Sequence, residues 1–95
     1  MIEHYNHFIP RLLKVSGVTL GKHIYYAMDF DRVSHRLRKH EMVHIEQYQK
    51  YGFMRFLYLY FKEYFRYRFK GFNHYQAYYE ISFEKEARLK EMLNG

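Results

Sequence analysis

Residues 40–44 read His40-Glu41-Met42-Val43-His44. Side chains four apart on a helix lie one turn above each other, so both imidazoles can point at a single ion. Zinc takes neutral imidazole nitrogens at about 2 Å and completes a tetrahedron with carboxylate or water. At about 100° per residue, Glu41 lies about 60° around the helix from His44. That puts it beside the ion and not on it, where it can take a proton from a metal-bound water. Val33, Leu37 and Tyr48 fall in the same arc, so this face looks inward, while Arg36, Lys39, Glu46 and Lys50 lie opposite. The competing explanation is chance spacing in a chain with seven histidines, whose rings would then only satisfy local polar groups.

A third protein ligand cannot be a thiolate, because the chain has no cysteine. The best source is the stretch "YEISFEKEARLKE", where Glu80, Glu84, Arg88 and Glu91 share one helical face. The same four residues also suit a solvated stripe with a Glu84–Arg88 pair at the favourable spacing.

The elements that must position these groups can be read in outline. Met1 to Val15 opens the chain, and Pro10 could begin a short helical turn at Arg11-Leu12-Leu13. Val18-Thr19-Leu20 and Ile24-Tyr25-Tyr26 read as two short strands joined by a turn at Gly21-Lys22. Asp29, Asp31 and Ser34 are each possible N-caps for the motif helix, which runs to about Tyr51 with Gly52 as a left-handed stop. Residues 53–70, "FMRFLYLYFKEYFRYRFK", read as a helix whose last third would also tolerate strand alternation. "GFNHYQAYY" reads as a loop, and residues 80–94 as a last helix with Gly95 beyond its end. The expected architecture is α+β: one small domain over residues 1–95, with a short β-ribbon or sheet, the motif helix, an aromatic-rich helix and a C-terminal glutamate helix.

Composition narrows the function classes. Lacking cysteine, the chain excludes a disulfide framework. It has no charge-free apolar run of membrane-spanning length and no secretory leader pattern, so a cytoplasmic setting is expected. A net charge of +6 with twelve Tyr and nine Phe leaves a nucleic-acid or membrane surface open, although no nucleic-acid motif is present. The apolar residues of 53–70 occupy nearly the whole helix circumference, which points to a homo-oligomer formed through that helix or to a membrane interface.

The segments "GVTLGKHIYY", "HEMVHIEQYQKYG" and "SFEKEA" together resemble the gluzincin group of zinc metallopeptidases, above all the single-domain minigluzincins and their bacterial relatives. The resemblance covers roughly residues 17–90. It implies a β-ribbon ahead of the motif helix and a downstream glutamate helix. It also implies Zn²⁺ as cofactor, held by His40, His44 and Glu84, with Glu41 as general base in hydrolysing peptides or unfolded protein. Many gluzincins carry an acidic residue four after the ligand glutamate, which orients a zinc histidine; here that position is Arg88. A guanidinium cannot accept an imidazole N–H, so another acceptor must hold the ring or the site binds metal more weakly. For such a reaction, Ile24, Tyr25 and Tyr26 are the expected edge strand for an extended peptide. His74, Tyr75, Tyr78 and Tyr79 are the candidates for stabilising the oxyanion, the alternative for each tyrosine being simple packing. Outside the peptidase reading stand a catalytically weak zinc-binding interaction module and a basic aromatic protein for membrane surfaces or nucleic acid.

Overall fold

The computed structural model describes residues 1–93, so Gly95, expected beyond the last helix, lies outside the described residues. Three strands form one sheet: β1 (Ile2–His4), β2 (Gly17–Leu20) and β3 (His23–Tyr26). Helix α1 (Phe8–Leu12) lies between β1 and β2, and four helices follow the sheet. These are α2 (His35–Tyr51), α3 (Phe53–Phe69), α4 (His74–Glu80) and α5 (Ser82–Leu93). The fold is α+β, as expected.

The β2–β3 hairpin turns at Gly21-Lys22, with Gly21 at φ +65°, a conformation glycine adopts without strain. β1 pairs in parallel with β3, giving the order β1-β3-β2. This corrects the expected edge: Ile24, Tyr25 and Tyr26 lie on the central strand, and their backbone is paired on both sides. Ile24 and Tyr26 face the core and are fully buried, while Tyr25 points to the other face. The edge without a strand partner on the α2 side belongs to β2, where the Thr19 carbonyl accepts from the Tyr48 hydroxyl of α2 at 2.9 Å.

α2 begins where Ser34 accepts the Leu37 N–H at 3.0 Å, which selects Ser34 among the three possible caps. It ends at Gly52, whose φ of +86° and ψ of 152° fall in a region essentially reserved for glycine. The Gly52 carbonyl then accepts the Phe56 N–H at 3.0 Å, so a single residue joins α2 to α3. α3 stays helical to Phe69, without the strand that its last third would tolerate.

The segment expected to be a loop after Gly71 holds a helix. Asn73 accepts the Gln76 N–H at 2.9 Å and the Gln76 side chain accepts the Asn73 N–H at 3.0 Å, a reciprocal cap that starts α4. α1 also starts earlier than expected, at Phe8, with Pro10 inside its first turn where a missing N–H costs nothing.

One core cluster joins Tyr48, Phe56, Ile81 and Phe83, tying α2 and α3 to the start of α5. A second joins Ile24, Tyr26 and Val33 between the sheet and the beginning of α2. Burying side chains of this size stabilises by about 1.5–3 kcal/mol each, so both ends of α2 are fixed against neighbours. Among the described residues, no helix is long and apolar enough to cross a membrane.

Candidate metal centre

α2 carries His40 and His44 one turn apart on its inward face, and α5 packs against that face. Both imidazoles meet the same atom of α5: Glu84 Oε1 lies 2.8 Å from His40 Nε2 and 3.1 Å from His44 Nε2. One donor atom from each residue lies within 4.8 Å of the others, the only such group of three among the described residues. His44 and Glu84 are buried, and His40 is 12 % exposed at its side chain.

The other ring nitrogens decide what this convergence means. His40 Nδ1 lies 2.9 Å from Glu91 Oε2, and a carboxylate can only accept, so Nδ1 carries the hydrogen. His44 Nδ1 lies 2.7 Å from Gln47 Oε1. The orientation of that amide is fixed because its nitrogen donates to Phe83 O at 3.1 Å and to Glu86 Oε1 at 2.7 Å. His44 Nδ1 is therefore also the protonated nitrogen. In the neutral tautomers, two imidazole lone pairs and a carboxylate oxygen then face one point with no hydrogen among them. Such a point requires a cation, either a proton or a metal ion. Tetrahedral zinc with bonds of about 2.0–2.1 Å sets its donors about 3.4 Å apart, so Glu84 Oε1 accepts it by moving a few tenths of an ångström away from each imidazole nitrogen. The donor set fits zinc.

Glu91 and Gln47 supply what Arg88 cannot. Arg88 turns outward, donates to Tyr79 O at 2.6 Å and stacks on the Tyr79 ring at 3.8 Å. The acceptor for His40 sits seven residues beyond Glu84, two turns along the same face. Glu84 itself is held at its second oxygen by the Tyr60 hydroxyl, at 2.7 Å. Burial, with Glu84 close by, pushes the Tyr60 and Tyr78 phenols far above their usual range, so both remain donors. Tyr60 comes from α3, and nothing in the sequence separates it from the eleven other tyrosines.

Glu41 projects on the other side of His44 toward the sheet. It is 2 % exposed, and its Oε1 accepts from Thr19 Oγ1 at 2.8 Å. Gly17 lets β2 pass against it: a Cβ there would stand 3.2 Å from Glu41 Cδ. Burial raises the Glu41 carboxyl above its usual value, opposed by His44 and His40. A carboxylate raised in this way is a stronger base than an exposed one.

Glu41, His44 and Glu84 open on a cleft of about 320 Å³ between β2, α1, α3 and α4. His74 and Tyr78 line it, but Tyr75 and Tyr79 do not; they are about 60 % exposed on another surface. The reason is the helix missed in the sequence. His74 and Tyr78 stand four apart on one face of α4, and Tyr75 and Tyr79 stand four apart on the next. His74 Nδ1 is 2.9 Å from the Tyr64 hydroxyl. The edge beside the site is β2, and its four residues all line the cleft.

Without metal, the convergence point holds a proton. Burial depresses the His44 imidazole, but the charge and hydrogen bond of Glu84 outweigh it and raise His44 from 6.5 to about 9. Glu84 is held well below the usual carboxylate range: burial would raise it, but the two histidines outweigh that. A histidine raised on folding stabilises fully below its unfolded pKa, and that stability is lost as pH rises through the folded value. The metal-free protein should therefore melt at lower temperature as pH rises from 6.5 toward about 9. With zinc present the slope should reverse, because metal must displace the proton and binds more tightly as pH rises. Thermal unfolding with chelator and with zinc, at pH 6.5 and 8.5, checks both slopes. Parallel slopes would show that no metal competes for this proton.

No protein-family model, curated protein or solved structure matches the chain.

Proposed function

We propose that the chain is a minimal zinc metallopeptidase of the gluzincin kind. The observation that carries the reading is the meeting of two imidazole lone pairs and the Glu84 carboxylate at one point, with the raised Glu41 carboxyl beside it. His40, His44 and Glu84 would hold zinc, which would supply Lewis acidity when bound. Glu41 takes the proton from the attacking water and returns it to the leaving amine. The outer edge of β2, from Gly17 to Leu20, lies beside Glu41 and would pair an extended substrate through the backbone groups that Tyr48, bonded to the Thr19 carbonyl, leaves open. His74 and Tyr78, which line the cleft, are the proposed donors to the developing oxyanion. The substrate class is an extended peptide or unfolded protein, and the setting proposed is the cytoplasm.

A second reading, a zinc-binding module without turnover, is favoured by one observation: Glu41 is almost fully covered and already bonded to Thr19. A single experiment separates the two. Purified protein supplied with zinc is incubated with an unfolded protein, with and without 1,10-phenanthroline. Cleavage that stops with chelator and returns with zinc is the expected result. One zinc per chain with no cleavage of any unfolded substrate assigns the module, and no zinc removes both readings.

A further inference from the structure

α3 presents a second surface that the metal centre does not use. Met54, Tyr58, Phe61, Phe65 and Phe69 are each at least half exposed, and Phe69 reaches 89 %. At about 100° per residue they fall within an arc of about 80° along the whole helix. Arg68 lies about 20° beyond one border of this stripe, and Lys62, Arg55 and Arg66 lie about 20–60° beyond the other. All four cations are exposed. The one acid of the helix, Glu63, lies about 160° from the centre of the stripe. There it accepts from both the backbone N–H and the hydroxyl of Ser82, on the protein side. Aromatic and thioether groups flanked by cations on both sides, on a helix too short and too charged to span, suit a helix lying in a lipid–water interface.

We propose that α3 docks this face on an anionic phospholipid bilayer, with the stripe in the acyl boundary and the four cations at the headgroups. Charge decides the occupant. A second copy laid against the same stripe would bring two sets of four cations together with no acid between them, whereas an anionic surface complements them. Phe61 belongs to the stripe and also lines the cleft, which Leu13, just past the end of α1 and 47 % exposed, lines as well. Docking therefore brings the mouth of the cleft to the membrane. This proposal does not depend on the peptidase reading.

The test is flotation of the full chain with vesicles of phosphatidylcholine, alone or with about one third phosphatidylglycerol, with far-ultraviolet circular dichroism as the folding control. Binding should require the anionic lipid and weaken as salt rises. The double change Phe65→Glu with Phe69→Glu, at positions that bear no core load, should reduce it more than about tenfold. Lys62→Glu and Arg66→Glu should each cost about fivefold or more. Arg36→Glu, the same charge change on the solvated face of α2, should stay within about twofold. Three outcomes would overturn the proposal. The first is anionic-vesicle binding that the phenylalanine changes leave intact. The second is no vesicle binding with a dimer mass in light scattering that Phe65→Glu reduces to a monomer, which gives the face to a second copy. The third is binding of RNA or DNA through these cations with none to vesicles.

Discussion

Glu84→Ala should lose zinc almost completely while the fold survives. Glu84 Oε1 is the atom on which both histidines converge, so its removal leaves two imidazoles and no anion to neutralise the ion. Losing a direct ligand should weaken binding by more than the roughly 10- to 100-fold that follows loss of a partner behind a ligand. Glu84→Gln should do nearly the same. It keeps the shape and an acceptor for the Tyr60 hydroxyl, which separates ligand loss from misfolding. Three neighbouring glutamates calibrate the effect. Glu91→Ala strips His40 Nδ1 of its acceptor and should cost about 10- to 100-fold. Glu86 is not the inert control that its place on the far side of α5 suggests, because it accepts from the Gln47 amide that orients His44; Glu86→Ala should weaken zinc by less than about tenfold. Glu80 pairs with Lys85 at 2.7 Å, and Glu80→Ala should leave zinc binding unchanged. Competition with a chromophoric chelator gives all five affinities. Zinc lost with Glu80→Ala and kept with Glu84→Ala would contradict Glu84 as the third ligand.

Glu41→Gln should keep zinc and lose peptidase activity by about two to four orders of magnitude. The amide oxygen can still accept from Thr19, so the contact between β2 and α2 survives. What disappears is a group able to hold a proton between the water and the leaving amine. Because Glu41 contacts Thr19 and not the convergence point, zinc affinity should change little. Rates on an unfolded protein substrate, measured with parent and variant at equal zinc content, give the answer. Activity that is measurable in the parent and survives the change would exclude Glu41 as the base.

The motif helix was legible because its signal is local. The spacing of His40 and His44, the Ser34 cap and Gly52 lie within one element, and Leu37 and Tyr48 turned inward as the helical period requires, whereas Val33 is buried just ahead of the cap, outside the helix. Glu84 was reached through the resemblance, since its stretch alone also suited a solvated stripe. What stayed hidden depends on partners distant in sequence. β1 is three residues long and exists because β3 offers it an edge, and that pairing turned Ile24 to Tyr26 from an edge into a centre. Tyr60 reaches Glu84 across 24 positions, and Thr19 reaches Glu41 across 22. Two local signals were present and unread. Asn73 followed by Gln76 three residues later is a reciprocal helix cap, and it turns the expected loop into α4. Glu91 shares the face of Glu84, and the acceptor for His40 stands there, one turn beyond Arg88.

The most direct test of the metal centre is the zinc K-edge X-ray absorption spectrum of protein loaded with one equivalent of zinc. Two imidazoles should appear through their outer-shell scattering, with nitrogen and oxygen donors at about 2.0–2.1 Å. In Glu84→Gln the imidazole outer-shell scattering should weaken or vanish. A spectrum of zinc surrounded by oxygen alone, or one unchanged by Glu84→Gln, would contradict the His40, His44 and Glu84 centre.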